Sequence, residues 1–198
     1  MKRLLKLLPA IKTNIPVFII GVLCMVLYAA EHWASLTGVD INRWLSYPSS
    51  WQSMFENHQY WRLLSPIFIH YSVLHILTNL VVFWIFATPI YWYHRGGFVV
   101  LLMVAALISN SIEFIMLDHR FGGLSGVNFA LFGFLFSFDR LKPDGPLYVD
   151  KSLSIGIFVF LLLSATDWLG NFAFYGHLSG LVVGLIAGWL VTKKTGLS

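Results

Sequence analysis

Residues 121–140 read FGGLSGVNFALFGFLFSFDR, and the length of the apolar part of this stretch decides how the chain is read. From Ser125 to Phe138 the residues are apolar or small apart from Asn128, about 14 in all, or roughly 21 Å of helix at 1.5 Å per residue. The hydrocarbon core of a bilayer is about 30 Å thick. Asp139, Arg140 and Lys142 fix one end at a membrane surface, so such a helix stops short of the other surface. Ser125 is then expected several ångströms below that surface, where a polar group needs a water-filled cavity or a partner.

The composition supports a lipid setting. Hydrophobic residues make up 58% of the 198 positions and charged residues 11%, against roughly 25% charged in soluble chains. Five further apolar segments flank the short one: Ile15–Ala30, Pro66–Tyr91, Phe98–Leu117, Leu153–Leu169 and His177–Val191. They predict an all-α membrane protein of six transmembrane helices in one domain, residues 15–192. A basic segment, 1–14, precedes it and a short tail, 193–198, follows. The first apolar run leads into Glu31, His32 and Trp33 rather than a small-residue cleavage site, and reads as a retained helix.

An even number of spans puts both termini on one side. That side then carries Lys2, Arg3, Lys6, Lys12, Arg95, Arg140, Lys142, Lys151, Lys193 and Lys194, and the other only Arg43, Arg62 and Arg120. By the positive-inside rule both termini are cytoplasmic, and Ser125 lies toward the outer face. The net charge of +4 comes from residues flanking apolar segments, with no basic stripe of the kind that binds nucleic acid. Cys24 is the only cysteine and has no intramolecular disulfide partner. The loop from Leu36 to Arg62 is too polar to cross, yet holds Trp44, Tyr47, Trp51, Tyr60 and Trp61. Such rings settle at headgroup level, so an interfacial first loop is expected.

Gly122, Gly123 and Gly126 bracket Ser125. They permit a tight turn and an exposed hydroxyl at a helix N-terminus, whose free N–H groups and dipole suit a developing oxyanion. Small-residue packing between membrane helices explains the same glycines equally well when they are taken alone. The last span adds Gly176, Gly180, Gly184 and Gly188, four apart, so one helix face is bare backbone. Gly122, Gly126 and Ala130 offer the same spacing on the fourth helix. If Gly180 and Gly184 pack on that face, His177 meets Ser125, and imidazole is the usual base for a serine hydroxyl. In the second span His75 and Asn79, at i and i+4, share one face and offer two neutral donors. His70 and His75 are five apart and splay around a helix, and no HExxH pattern occurs, so no metal site is expected.

Gly123-Leu124-Ser125-Gly126 on a short fourth helix, His75 with Asn79, and His177 heading a glycine ladder resemble the rhomboid family of intramembrane serine proteases. Trp61-Arg62 before the second helix and the aromatic first loop are also similar. The likeness covers nearly the whole chain and suits the bacterial members in their minimal six-helix form. It implies a rhomboid-like bundle in a bacterial inner membrane, with Ser125 as nucleophile and His177 as base in a dyad without an acid. His75, Asn79, Leu124 and the Ser125 N–H are implied as the oxyanion site, with Gly126, Gly180 and Gly184 as packing support. It implies no cofactor, and substrates that are membrane-anchored proteins cut near the periplasmic face. Relatives carry a Glu and an Arg after the second helix, where residues 89–95 read PIYWYHR; a tyrosine where Phe129 stands; and an apolar residue where Asn128 stands. A catalytically silent protein of the same fold that binds transmembrane segments is the alternative, and retention of Ser125, His177, His75 and Asn79 together argues against it.

Overall fold

The computed structural model describes residues 14–117, 120–166, 168 and 172–194. Most of the expected N-terminal segment and tail lies outside the described residues. Among the described residues all regular structure is helical. Helix α1 spans Ile15–Leu36, followed in the first loop by short helices α2 (Asn42–Leu45) and α3 (Trp51–Glu56). Helices α4 (Val73–Tyr93), α5 (Arg95–Met116), α6 (Ser125–Leu141), α7 (Lys151–Ser164) and α8 (Phe174–Lys194) complete the bundle. Of these, α1, α4, α5 and α8 are long and apolar enough to cross a bilayer. The two remaining members of the expected six, α6 and α7, are shorter.

Helix boundaries depart from the sequence reading where polar side chains supply or remove caps. The second span is apolar from Pro66, but residues Ser65–Phe68 form a 3-10 turn. Helix α4 starts only at Val73, where the Ser72 hydroxyl accepts from His75 N–H at 3.1 Å. Helix α6 runs past Phe138 to Leu141 and has 17 residues, not about 14. Arg140 does not stop it: its charge suits the C-terminal end of the dipole, and its guanidinium lies 5.0 Å from the Phe136 ring one turn back. At about 26 Å the helix is still shorter than the hydrocarbon core. Helix α7 ends at Ser164, not Leu169, because the Ser164 and Thr166 hydroxyls take the Leu161 and Leu163 carbonyls at 2.7 Å each. Helix α8 continues into the expected tail as far as Lys194, with Lys193 Nζ 4.3 Å from the Trp189 ring.

Burial is arranged for lipid. Helix α6 is enclosed, with Val127, Ala130, Leu131, Phe132 and Leu135 all buried, and its most extensive contact is with α8. Leu23 and Val26 on α1, Val100 and Met103 on α5, and Ile186 and Leu190 on α8 are exposed. Asn79, Asn110, Glu113, Asn128 and His177 are buried. An apolar rim around a core that holds polar groups is the reverse of a water-soluble chain.

The first loop is folded back on itself by Arg62 at its end. Arg62 Nε donates to the Ser46 carbonyl at 2.6 Å and its terminal nitrogens to Tyr47 O and Gln59 Oε1, at 3.2 and 2.7 Å. Trp44, Trp51, Tyr60 and Trp61 remain exposed, as expected for the interface. Tyr47 departs from that pattern. It is fully buried, stacked on Phe114 with ring centroids 4.7 Å apart and hydrogen-bonded to Ser111 at 3.1 Å. In the last turn of α4, Trp92 Nε1 donates to Asn14 Oδ1 at 2.7 Å, and Arg95 lies over the Tyr91 and Trp92 rings at 5.8 and 5.3 Å. Aromatic contacts therefore occupy the stretch where relatives carry an acid.

Candidate active site

Ser125 is the first residue of α6, and the turn before it is shaped by glycine. Gly123 has φ +119°, a value that L side chains rarely adopt, and an added Cβ would meet His75 Nε2 at 2.9 Å. Its N–H donates to Pro66 O at 2.9 Å. Leu124 is the N-cap residue and is buried, and no side chain caps the helix start. The first N–H groups of α6 therefore retain donor capacity beside the Ser125 hydroxyl.

The α6–α8 contact is made backbone to backbone. An added Cβ on Gly180 would collide with the Gly126 carbonyl, and one on Gly184 with the Ala130 carbonyl. Gly188 sits the same way against Phe134 O, at 2.6 Å. Gly133 returns the contact from α6, where a Cβ would lie 2.5 Å from Leu181 O. Gly122, expected on this face, packs elsewhere. Its Cβ would meet Ile69 at 2.7 Å, because the chain turns away ahead of α6.

This close approach brings His177 Nε2 to 2.8 Å from Ser125 Oγ. Phe129 stacks on the imidazole with centroids 4.8 Å apart and planes at 29°, so the ring contact expected from relatives is present without a hydroxyl.

His75 and Asn79 face the same cleft, of about 1390 Å³, together with Ser125, Phe129, Ser164 and His177. His75 Nδ1 accepts from Tyr71 N–H at 3.4 Å, which leaves the ring proton on Nε2. Asn79 Nδ2 donates to His75 O at 3.0 Å and has a second hydrogen to spare. No spacing along the chain points to what holds that amide. Asn128 Nδ2 donates to Asn79 Oδ1 at 3.0 Å and to Asn79 O at 3.1 Å, so the amide's acceptor end is occupied. The polar residue that stood out against relatives is thus Asn79's buried partner.

Glu113 was also missed, although a lone acid inside the third apolar segment was itself a signal. Its carboxylate takes the Gly176 N–H at 2.7 Å and also bonds the Tyr175 N–H. It thereby serves the N-terminal turn of α8, one residue before His177, where negative charge is favoured. Glu113→Ala leaves those donors buried and unpaired, and is expected to cost about 1–3 kcal/mol of stability. Glu113→Gln keeps an acceptor and should recover most of the loss. Unfolding of both variants in detergent checks this, and equal stabilities for Ala and Gln would refute it.

A short α6 with a hydroxyl at its uncapped start, and a glycine-faced α8 that delivers a buried histidine to it, define a helical membrane protein with a half-buried serine–histidine pair. Residues 57–194 match the family model of the Rhomboid domain. The chain belongs to the rhomboid family, and it is a multi-pass membrane protein. It is 35% identical over 159 residues to the rhomboid protease GlpG of Pectobacterium atrosepticum, covering 79% of this chain and 56% of that protein. Proteins of the same name from Salmonella paratyphi A and Salmonella typhi are 32% and 31% identical over 187 residues, with 88% of this chain and 62% of theirs covered. The chain thus spans about three fifths of the length of these relatives.

Proposed function

We propose that this protein is an intramembrane serine endopeptidase that cuts transmembrane segments of membrane-anchored proteins, with Ser125 as nucleophile and His177 as general base. The observation that carries the reading is the 2.8 Å contact between His177 Nε2 and Ser125 Oγ at the open start of α6. Ser125 Oγ attacks the scissile carbonyl carbon as its proton passes to His177 Nε2. The carbonyl oxygen becomes an oxyanion, received by the backbone N–H groups of Leu124 and Ser125 and by His75 Nε2–H and Asn79 Nδ2–H. Collapse breaks the C–N bond, and His177 returns its proton to the departing amine. Water, deprotonated by His177, then hydrolyses the ester on Ser125. The cycle needs neither metal nor cofactor.

The depth of Ser125 and the distribution of basic residues favour a site opening to the periplasmic side of a bacterial inner membrane, with both termini cytoplasmic. A membrane helix must unwind there to expose a peptide bond, and the cleft supplies polar groups for the freed backbone.

The test is reaction with a fluorophosphonate probe in detergent, with the adduct located by mass spectrometry. Modification of Ser125 that is lost in Ser125→Ala supports the reading. No modification in the parent protein identifies it instead as a silent binder of transmembrane segments. The oxyanion assignment has its own test. Asn79→Ala should lower the cleavage rate by about 10²–10³ while the probe still labels Ser125, and unchanged turnover would assign Asn79 to packing alone.

A further inference from the structure

We infer that Ser164, at the C-terminal end of α7, is a positioning residue for the base: its Oγ accepts a hydrogen bond from His177 Nδ1–H and so turns the Nε2 lone pair toward Ser125. The inference extends the proposed roles of Ser125 and His177.

The argument is an accounting of protons. Ser164 Oγ lies 2.7 Å from the Leu161 carbonyl oxygen and 3.3 Å from His177 Nδ1. A serine hydroxyl has one hydrogen, and a carbonyl oxygen only accepts, so the shorter contact consumes that hydrogen. Oγ then has only lone pairs left for the imidazole, and Nδ1 must be the donor. A neutral imidazole carries a single N–H. Nε2 is therefore unprotonated, 2.8 Å from Ser125 Oγ, and Ser125 donates to it.

The opposite assignment has Ser164 donating to Nδ1 and Nε2–H donating to Ser125. It would leave the Leu161 contact without a hydrogen and the nucleophile without a base. Ser164 and His177 are 4% and 2% exposed, so protein covers most of both groups. The residue thus occupies the place that a buried carboxylate holds in a three-membered serine hydrolase site, but as a neutral acceptor. It orients the ring and sets the tautomer without adding a charge in the membrane. When the proton reaches Nε2, the Nδ1–H bond to Ser164 remains and strengthens with the ring's charge.

The experiment uses the full chain labelled with [15N]histidine in detergent micelles. The His177 ring signals are assigned by their loss in His177→Ala. In the parent, His177 should show a protonated Nδ1 and a free Nε2. Ser164→Ala should mix the tautomers and lower kcat toward a single-span test substrate about tenfold, the equivalent of one ordinary hydrogen bond, with KM unchanged. Ser164→Thr keeps a hydroxyl that can make the same helix back-bond, and should restore both readouts. A parent His177 protonated at Nε2 overturns the inference, as does a Ser164→Ala variant that keeps either the parent tautomer or the parent kcat. If Ser125→Ala still cleaves, the assignment of Ser125 as nucleophile fails instead, and the nitrogen spectrum alone decides the contact.

Discussion

Ser125→Ala is expected to lower cleavage of a single-span substrate by a factor on the order of 10⁶, the scale at which a serine hydrolase loses its nucleophile. The substitution deletes one hydroxyl at the first position of α6 and breaks the 2.8 Å contact with His177. It leaves the Gly126–Gly180 and Ala130–Gly184 approaches untouched, because those are made by backbone. Alanine also suits the first turn of a helix. The fold should survive with a change near 1 kcal/mol, the usual net value of one hydrogen bond. Cleavage and thermal unfolding measured on the same purified variant separate the two effects. A folded Ser125→Ala protein with residual turnover near that of the parent would remove Ser125 from the mechanism.

Gly180→Val carries the second large effect, and by a different route. Its three added carbons meet the Gly126 carbonyl at a point where even Cβ has no room. That obstacle is backbone and not a flexible side chain that can swing aside, so one helix must shift. Overpacking of this kind costs about 1–3 kcal/mol, whereas a displacement of about 1 Å between reacting groups costs on the order of 10²-fold in rate. His177 lies less than one turn from Gly180, so the shift reaches it directly. Activity should therefore fall much further than stability. Ile186→Val, on a side chain that is 52% exposed on the lipid side of the same helix, is the control. If Gly180→Val cleaves as fast as Ile186→Val, close packing is not what sets the serine–histidine distance.

What was legible in the sequence was legible because it is periodic or local. Glycines at 176, 180, 184 and 188 mark one face of α8 whatever lies opposite, and an apolar run starting at Ser125 locates a helix start. Those two patterns were enough to expect Ser125 and His177 together. Helix ends were less legible, since Asp139 and Arg140 look like a stop and yet continue α6, whereas Ser164 and Thr166 look unremarkable and close α7. Tyr47 was expected at headgroup level with its aromatic neighbours. Its burial depends on Phe114 and Ser111, more than sixty positions away. The supporting polar contacts escaped for the same reason. Asn128 to Asn79, Glu113 to Gly176 and Ser164 to His177 join different helices, and no spacing along the chain announces them.

The glycine contact between α6 and α8 has a consequence for redesign. It assigns the reacting distance to two main chains, while the walls of the cleft, such as Val82 and Phe86 on α4 and Ile157 on α7, are side chains on other helices. Shape and reactivity are therefore separate variables here. A library that varies Val82, Phe86 and Ile157 can search for new sequence preferences with the chemistry held constant, whereas one that varies the ladder alters the chemistry at every member.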